Sequence, residues 1–221
     1  MAASKKEGPV TVPGRPPKQD RSRASFERMI AAAEALMVER GSDDFTLLDV
    51  SRVGKVSIGS IYNRFSGKEE LVQAVHARMM TRLTADRARM VMNARERSSS
   101  LIELIPALIE EMGETLRRHA SILRPMMLRA AHDSKIQELG KRGYIQATRA
   151  MVEELLQYRD QIRHPDPDHA CEAAVNVAYA AFARELGFGM AELLQPVPEW
   201  NRFKQDVARM VAAFLLFEPN Q

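Results

Sequence analysis

Apolar residues recur at steps of three and four along nearly the whole chain, and strict alternation of apolar and polar residues does not occur. A clear example is the stripe formed by Phe26, Ile30, Ala33 and Met37. This period is typical of amphipathic α-helices, so the pattern predicts an all-α fold with about nine helices. Their predicted positions are approximately 22–40, 47–53, 58–64, 68–95, 101–119, 121–131, 134–158, 167–187 and 199–217.

Turn and cap residues separate these helices. Gly41 is a suitable C-terminal cap for the first helix, and Asp166 followed by Pro167 is a typical helix start. Pro106 lies inside the predicted fifth helix, where the missing amide hydrogen predicts a kink. A break is expected near residue 120, so the fifth and sixth helices are predicted to be separate.

The second and third predicted helices form the most informative stretch. Thr46 followed by Asp49 fits a helix N-cap with an acidic residue in the first turn, and Ser57 fits another N-cap. Residues 54–56 leave room for only a short turn, and two short helices joined so tightly form a helix-turn-helix. The outward side of the third helix is mostly polar and small, which suits a duplex groove: Ser57, Gly59, Ser60, Tyr62, Asn63 and Arg64.

At these positions the chain resembles the TetR family of bacterial transcriptional regulators. The matching residues are Ala32-Ala33, Leu36, Gly41, Thr46, Val50, Val56-Ser57, Gly59, Ile61-Tyr62, Phe65, Lys68-Glu69 and Leu71. The chain departs from the family pattern at Ser51, where alanine is usual, and at Arg64, where histidine or tyrosine is usual. It departs again at Gly54-Lys55, where Ala-Gly is usual. The resemblance implies a DNA-binding regulator whose third helix is the recognition helix.

The same resemblance implies a role for individual side chains of this segment. Base edges are expected to face Ser57, Ile58, Gly59 and Ser60. Tyr62, Lys68 and Thr46 are expected to reach phosphates, and Asn63 belongs to the same surface. Arg64 is long enough for a phosphate or a guanine edge.

Lys55 stands where the family usually has the glycine of the turn, and a tight turn commonly needs one residue with positive φ. Two explanations are open. Gly54 could take over the role of the glycine, or Lys55 could itself be strained and be retained because its ammonium reaches a DNA phosphate. The unshifted frame between Thr46 and Tyr62 favours the second explanation.

Composition and charge narrow the class of protein only slightly. The 221 residues carry a formal net charge of +3, which is too small to indicate nucleic-acid binding by itself. Cys171 is the only cysteine, so no intrachain disulfide can form and a reducing compartment is expected. Residues 1–20 have no apolar core typical of a signal peptide, and no apolar run is long enough to span a bilayer. A cytoplasmic location is therefore predicted.

Three segments are expected from these patterns and from the resemblance. Residues 1–20 form a disordered basic arm, which is either a solvated tail or a segment that contacts DNA phosphates or the minor groove. Residues 21–75 form the helix-turn-helix DNA-binding domain, and residues 76–221 form an effector-binding and dimerisation domain.

The sequence offers no convergent set of catalytic or metal-binding side chains. The five histidines are scattered, and no pair is spaced for one helix face. A charge run on the fourth helix, formed by Arg78, Arg82, Arg87 and Arg89, indicates a solvated face. We therefore expect no catalytic activity, no cofactor and no metal site. The alternatives are a helical enzyme or a protein-interaction module, with a degenerate helix-turn-helix.

The resemblance further implies that the C-terminal part binds a small-molecule effector and forms a homodimer, and that the protein is a repressor of a palindromic operator. Flexible methionines and nearby polar groups are candidate effector ligands: Met112, Met126, Met127, Tyr144, Met151, Asn176 and Tyr179. Small or apolar residues of the last two helices are the candidate dimer interface: Ala174, Ala178, Ala181, Phe203, Val207, Met210 and Phe214.

Overall fold

The structure is a computed structural model that describes residues 20–188 and 199–217. These residues form α-helices and one 3₁₀ segment without strands, which confirms the all-α prediction for the described part of the chain. The helices are α1 (Asp20–Arg40), α2 (Leu47–Gly54), α3 (Ile58–Tyr62), α4 (Lys68–Glu96), α5 (Leu101–Ala130), α6 (Ser134–Leu155), α7 (Pro167–Glu185) and α8 (Trp200–Leu216). The 3₁₀ segment Leu156–Gln161 follows α6. The expected basic arm lies outside the described residues, apart from Asp20 at the start of α1.

A single helix, α5, replaces the two helices predicted at 101–119 and 121–131, so the described residues contain eight α-helices instead of about nine. The expected break near residue 120 does not occur because the apolar stripe continues through it. Leu116, Ala120 and Leu123 are all buried and follow one another on the same helix face. Burial of an amphipathic face supplies most of the stability of a helix in a protein, and here it maintains α5 despite Pro125.

The chain divides into two compact units at Arg82 and Leu83, within α4. The first unit contains α1, α2, α3 and the first part of α4. The second unit contains the remainder of α4 and helices α5 to α8. Each unit has a hydrophobic core of its own.

The core of the first unit positions the helix-turn-helix. The Phe26 ring on α1 stacks on the Phe65 ring that follows α3, with centroids 5.5 Å apart. Ile61 is completely buried and holds the inner face of α3 against this core. Because α3 has only five residues, these apolar contacts rather than helix propensity must keep it folded.

The core of the second unit is built around α5, which packs against α6, α7 and α8. Gly113 allows the close approach of α7, since a Cβ atom there would lie 3.0 Å from the Phe182 ring. A buried ammonium, that of Lys204 on α8, donates hydrogen bonds to Glu110 at 2.6 Å and to Glu114 at 2.5 Å. Among the described residues, no helix is both long enough and apolar enough to traverse a bilayer.

Candidate functional site

The start of α2 is fixed by a reciprocal cap between Thr46 and Asp49. The Asp49 amide donates to the Thr46 hydroxyl at 3.1 Å, and the Thr46 amide donates to the Asp49 carboxylate at 2.9 Å. The hydrogen bond from the Thr46 backbone holds the pKa of Asp49 below its usual range. The predicted cap is confirmed, and it orients the first helix of the helix-turn-helix.

The turn between α2 and α3 is a Schellman motif with Lys55 in the left-handed conformation, at φ 49° and ψ 49°. The Lys55 amide donates to the Arg52 carbonyl at 3.4 Å, and the Val56 amide donates to the Ser51 carbonyl at 3.1 Å. The Ser51 hydroxyl also donates to the Val56 carbonyl at 2.6 Å, so Ser51 adds a bond to the turn that alanine could not make. Among the described residues, Lys55 is the one non-glycine residue in the left-handed region, which confirms that the turn places a positive φ at this lysine.

Gly54 has a role other than supplying the positive φ of the turn. It is the last residue of α2, and a Cβ atom there would lie 3.1 Å from the Arg28 carbonyl oxygen and 3.2 Å from the Ala32 Cβ. Glycine therefore permits α2 to pack closely on α1. The explanation that Gly54 relieves Lys55 of the left-handed conformation is wrong, and the contact of Lys55 with a phosphate stays a prediction.

Helix α3 presents a short exposed surface beyond its buried anchor. The Ser57 hydroxyl caps the helix by accepting from the Ser60 amide at 3.2 Å, and the two hydroxyls lie 2.8 Å apart. Ile58, Gly59, Asn63 and Tyr62 are exposed, and Tyr62 keeps 61% of its surface accessible. Ser60 is half-buried. The predicted base-facing residues thus lie together on one side of the first unit.

Among the described residues, no neighbouring atom lies close enough to Gly59 to require a glycine there. Gly59 lies inside α3, and a Cβ atom there would meet no atom within 4 Å. Glycine within a helix costs roughly 0.5–1 kcal/mol relative to alanine. The open space at Gly59 would allow another molecule to approach the backbone of α3 closely.

Two of the side chains predicted to contact DNA interact with other residues of the first unit. The Arg64 guanidinium donates to the Ser22 hydroxyl on α1 and is half-buried. The Lys68 ammonium lies 3.9 Å from the Asp43 carboxylate and 5.1 Å from the centre of the Phe45 ring. These contacts fix both side chains beside α3, and their roles in DNA binding stay predictions.

The candidate effector residues of the second unit fall into two groups. Met112, Met126 and Met151 are buried core residues, and Met127 is half-buried. Met151 lines a cavity of about 10 Å³, which could not hold an organic molecule. The polar candidates lie together: the Tyr144 hydroxyl donates to the Asn176 side-chain oxygen at 2.5 Å, and the Tyr144 and Tyr179 rings make an edge contact with centroids 4.7 Å apart.

Sequence reasoning missed Arg87, which was assigned to a solvated charged face. Its guanidinium donates to the backbone carbonyl of Gly143 at 2.7 Å, and burial lowers the pKa of Arg87. Arg78 and Arg82, from the same run, instead form ion pairs with Glu34 on α1. The four arginines of this run look alike in the sequence. They differ in the helices that they contact, which the sequence does not show.

The candidate dimer residues also divide by their position. Ala174, Ala178 and Val207 are buried within the chain, while Ala181 and Phe203 are half-buried. Met210 and Phe214 are exposed and border a groove between α7 and α8. This α7–α8 groove has a volume of about 200 Å³ and an apolar lining formed by Ala173, Ala174, Val177, Met210, Val211 and Phe214.

In the described parts of the chain, histidine, cysteine and acidic residues form no group of three or more that could hold a metal ion. Cys171 is buried in α7, and burial raises the pKa of its thiol to about 11. A thiol with so high a pKa is a poor nucleophile near neutral pH. Its surroundings indicate a packing residue.

The comparison with protein families gives a match to the bacterial regulatory proteins of the tetR family over residues 29–75, which include α2 and α3. A comparison with curated protein sequences finds no match. Many solved structures share the fold. A transcriptional regulator from Rhodococcus sp. RHA1 is 18% identical, with a TM-score of 0.65 over 88% of this chain and 100% of that chain. A regulator of the TerR/AcrR family from Aquifex aeolicus is 14% identical, with a TM-score of 0.58 over 86% and 99% of the two chains.

The ketosteroid transcriptional regulator KstR2 of Mycobacterium tuberculosis is 18% identical, with a TM-score of 0.55 over 94% of this chain and 100% of that chain. At such identities the solved structures show the fold alone. The family match covers the capped helices, the strained turn and the exposed face of α3 described above. Residues 29–75 therefore match the bacterial regulatory proteins of the tetR family, and the described helices share the fold of solved transcriptional regulators.

Proposed function

We propose that the chain is a cytoplasmic, homodimeric repressor that acts by binding rather than by catalysis, and that a small-molecule effector releases it from a palindromic operator. In the DNA-bound dimer the two α3 helices occupy successive major grooves, about one helical turn apart. The observation that carries the proposal is Gly59, a helix glycine in open space between the exposed side chains of Ile58 and Tyr62. This surface does not pack against the core, and it would allow a base pair to approach closely.

The DNA-binding part is tested by selecting duplexes from a random pool with the full chain and measuring salt-dependent affinity for variants. Tyr62→Phe removes one hydroxyl and should weaken binding to all duplexes. Lys68→Ala should also reduce the slope of log K against log salt by roughly one for each protomer. Lys135→Ala, an exposed lysine of α6, is the matched control and should bind normally. Full affinity in both Tyr62→Phe and Lys68→Ala would remove the assignment.

We propose that a second copy of the chain covers the α7–α8 groove. Val177 and Met210 keep 68% and 62% of their surfaces exposed, and Phe214 keeps 41%. Exposed apolar side chains that adjoin one another are typical of an interface, whereas isolated ones are ordinary. A two-fold dimer also matches the two half-sites of a palindrome.

This interface is tested by introducing charge at exposed positions only. Phe214→Glu and Val177→Asp should give monomers in sedimentation analysis, since an unpaired charge would be buried in the dimer. Ile145→Asp changes an equally exposed residue of α6 and should leave the dimer intact. Ala178 is fully buried in the chain, so a charge there would report on folding instead. Intact dimers of both groove variants would place the interface elsewhere.

We place the effector in the second unit, among Met112, Met126, Met127, Tyr144, Met151, Asn176 and Tyr179. Methionine side chains are flexible enough to rearrange around a ligand. The effector must bind the state with low DNA affinity more tightly than the DNA-bound state. By linkage, saturating operator DNA should weaken effector binding by the same factor as the effector weakens DNA binding.

A further inference from the structure

Four side chains of the second unit form a polar group that we call the Arg87 cluster: Arg87 on α4, Tyr144 on α6, and Asn176 and Tyr179 on α7. Arg87 is joined to α6 through the Gly143 carbonyl. The hydrogen bond between Tyr144 and Asn176 and the edge contact between the two tyrosine rings join α6 to α7. Gly143 directly precedes Tyr144 in α6, so the hydrogen bond of Arg87 lies one residue from the tyrosine pair, and Tyr179 also interacts electrostatically with Arg87.

The guanidinium of Arg87 lacks the partner that a partly buried cation usually has. No carboxylate of the described residues lies within ion-pair distance of Arg87, although Arg95 on the same helix pairs with Glu154. The Gly143 carbonyl is a neutral acceptor and engages one nitrogen of the fork. Burial without an anion is unfavourable for a cation, and it lowers the pKa of Arg87. A bound anion would remove that cost.

The remainder of the cluster indicates the size and charge of such an anion. Arg87 is the only cationic member, so a monoanion balances the charge whereas a phosphate dianion does not. The planar guanidinium fork matches a carboxylate in a bidentate arrangement. The two tyrosine rings meet at 60° and are half-buried, so each keeps accessible surface that a flat apolar body could contact.

We propose that the Arg87 cluster binds a small aromatic carboxylic acid, with the carboxylate on the Arg87 fork and the ring of the acid against Tyr144 and Tyr179. The inference rests on the proposed function, because it names the chemical class of the effector. The acid displaces water from the guanidinium and adds a charge-assisted pair that the described residues do not supply. Neutral analogues of the same shape lack that pair and bind less tightly.

The test uses the full chain and three acids of different reach: benzoate, phenylacetate and 3-phenylpropionate, each compared with its own amide. Calorimetry should show that at least one acid binds more tightly than its amide, by roughly 10- to 100-fold. Arg87→Met should abolish that difference, and Arg87→Lys should reduce it, because lysine keeps the charge but not the fork. Arg89→Met removes a neighbouring exposed arginine of α4 and should bind the acid normally.

Thermal unfolding of each variant shows whether the fold is retained, and Arg87→Lys remains informative if Arg87→Met does not fold. Equal affinity for every acid and its amide would overturn the proposal, as would acid binding to a folded Arg87→Lys protein that equals the wild type. DNA binding by the ligand-free protein is measured in parallel. Its absence would count against the proposed function alone, because binding of the acid to the second unit does not require DNA.

Discussion

The left-handed conformation of Lys55 makes the turn of the helix-turn-helix open to a two-part test. A residue with a Cβ atom in this conformation costs roughly 1–2 kcal/mol, which glycine does not. Glycine in turn makes the unfolded chain more flexible, and this disfavours folding by about 0.4–1 kcal/mol. The midpoints of these ranges differ by about 0.8 kcal/mol, so Lys55→Gly is expected to stabilise the protein by that amount, measured as the free energy of unfolding in urea.

Lys55→Gly also removes an exposed ammonium next to α3. If that ammonium contacts a phosphate, affinity for selected duplexes falls and the salt slope decreases by about one for each protomer. Lys55→Ala is the matched control, since it removes the charge but keeps the Cβ atom. It should lose the same DNA affinity without the gain in stability.

The free energy of unfolding and the DNA affinity test two different claims. A Lys55→Gly protein no more stable than Lys55→Ala would show that the turn is not strained. Unchanged DNA affinity in both variants would show that Lys55 contacts no phosphate. If both results were obtained, neither the fold nor DNA binding would explain why lysine occupies position 55.

Three further outcomes follow from single positions. Gly59→Ala should stabilise the free protein by up to roughly 1 kcal/mol and weaken DNA binding, whereas Gly140→Ala, also in open space within a helix, should only stabilise it. Normal DNA affinity of Gly59→Ala would contradict the close approach. Replacing a thymine of the selected duplex by uracil should cost affinity in the wild type but not in Ile58→Ala, if Ile58 contacts the thymine methyl. Iodoacetamide should label Cys171 at pH 8 only after unfolding, because its pKa is about 11 in the folded protein.

The sequence predicted best the elements whose signals are local. The cap formed by Thr46 and Asp49 involves residues three apart, and the buried anchor of α3 follows from the spacing of Ile61 and Phe65. The position of Lys55 in the turn also followed from the local sequence, because the spacing from Thr46 to Tyr62 is the same as in the family motif. In each case the residues that determine the structure lie within a few positions of one another.

Contacts between distant segments determined what the sequence could not show. Arg64 is 42 residues from Ser22, to which it is bonded, and Arg87 is 56 residues from Gly143. Nothing within the arginine run of α4 distinguishes Arg87 from its neighbours. The expected break in α5 was wrong for the same reason, since the burial of Ala120 depends on other helices.

The hydrogen bond between Arg64 and Ser22 connects the first turn of α1 to the segment that follows α3. Ser22 lies in the first turn of α1, and Arg64 follows directly after α3. Residues 1–19 precede α1 in the sequence, and they include Lys5, Lys6, Arg15 and Lys18. A tether converts a second contact into an intramolecular one, with an effective concentration on the order of millimolar for short connections. If these lysines and this arginine contact phosphates while α3 is bound, even individually weak contacts would lengthen the residence time of the proposed repressor on its operator.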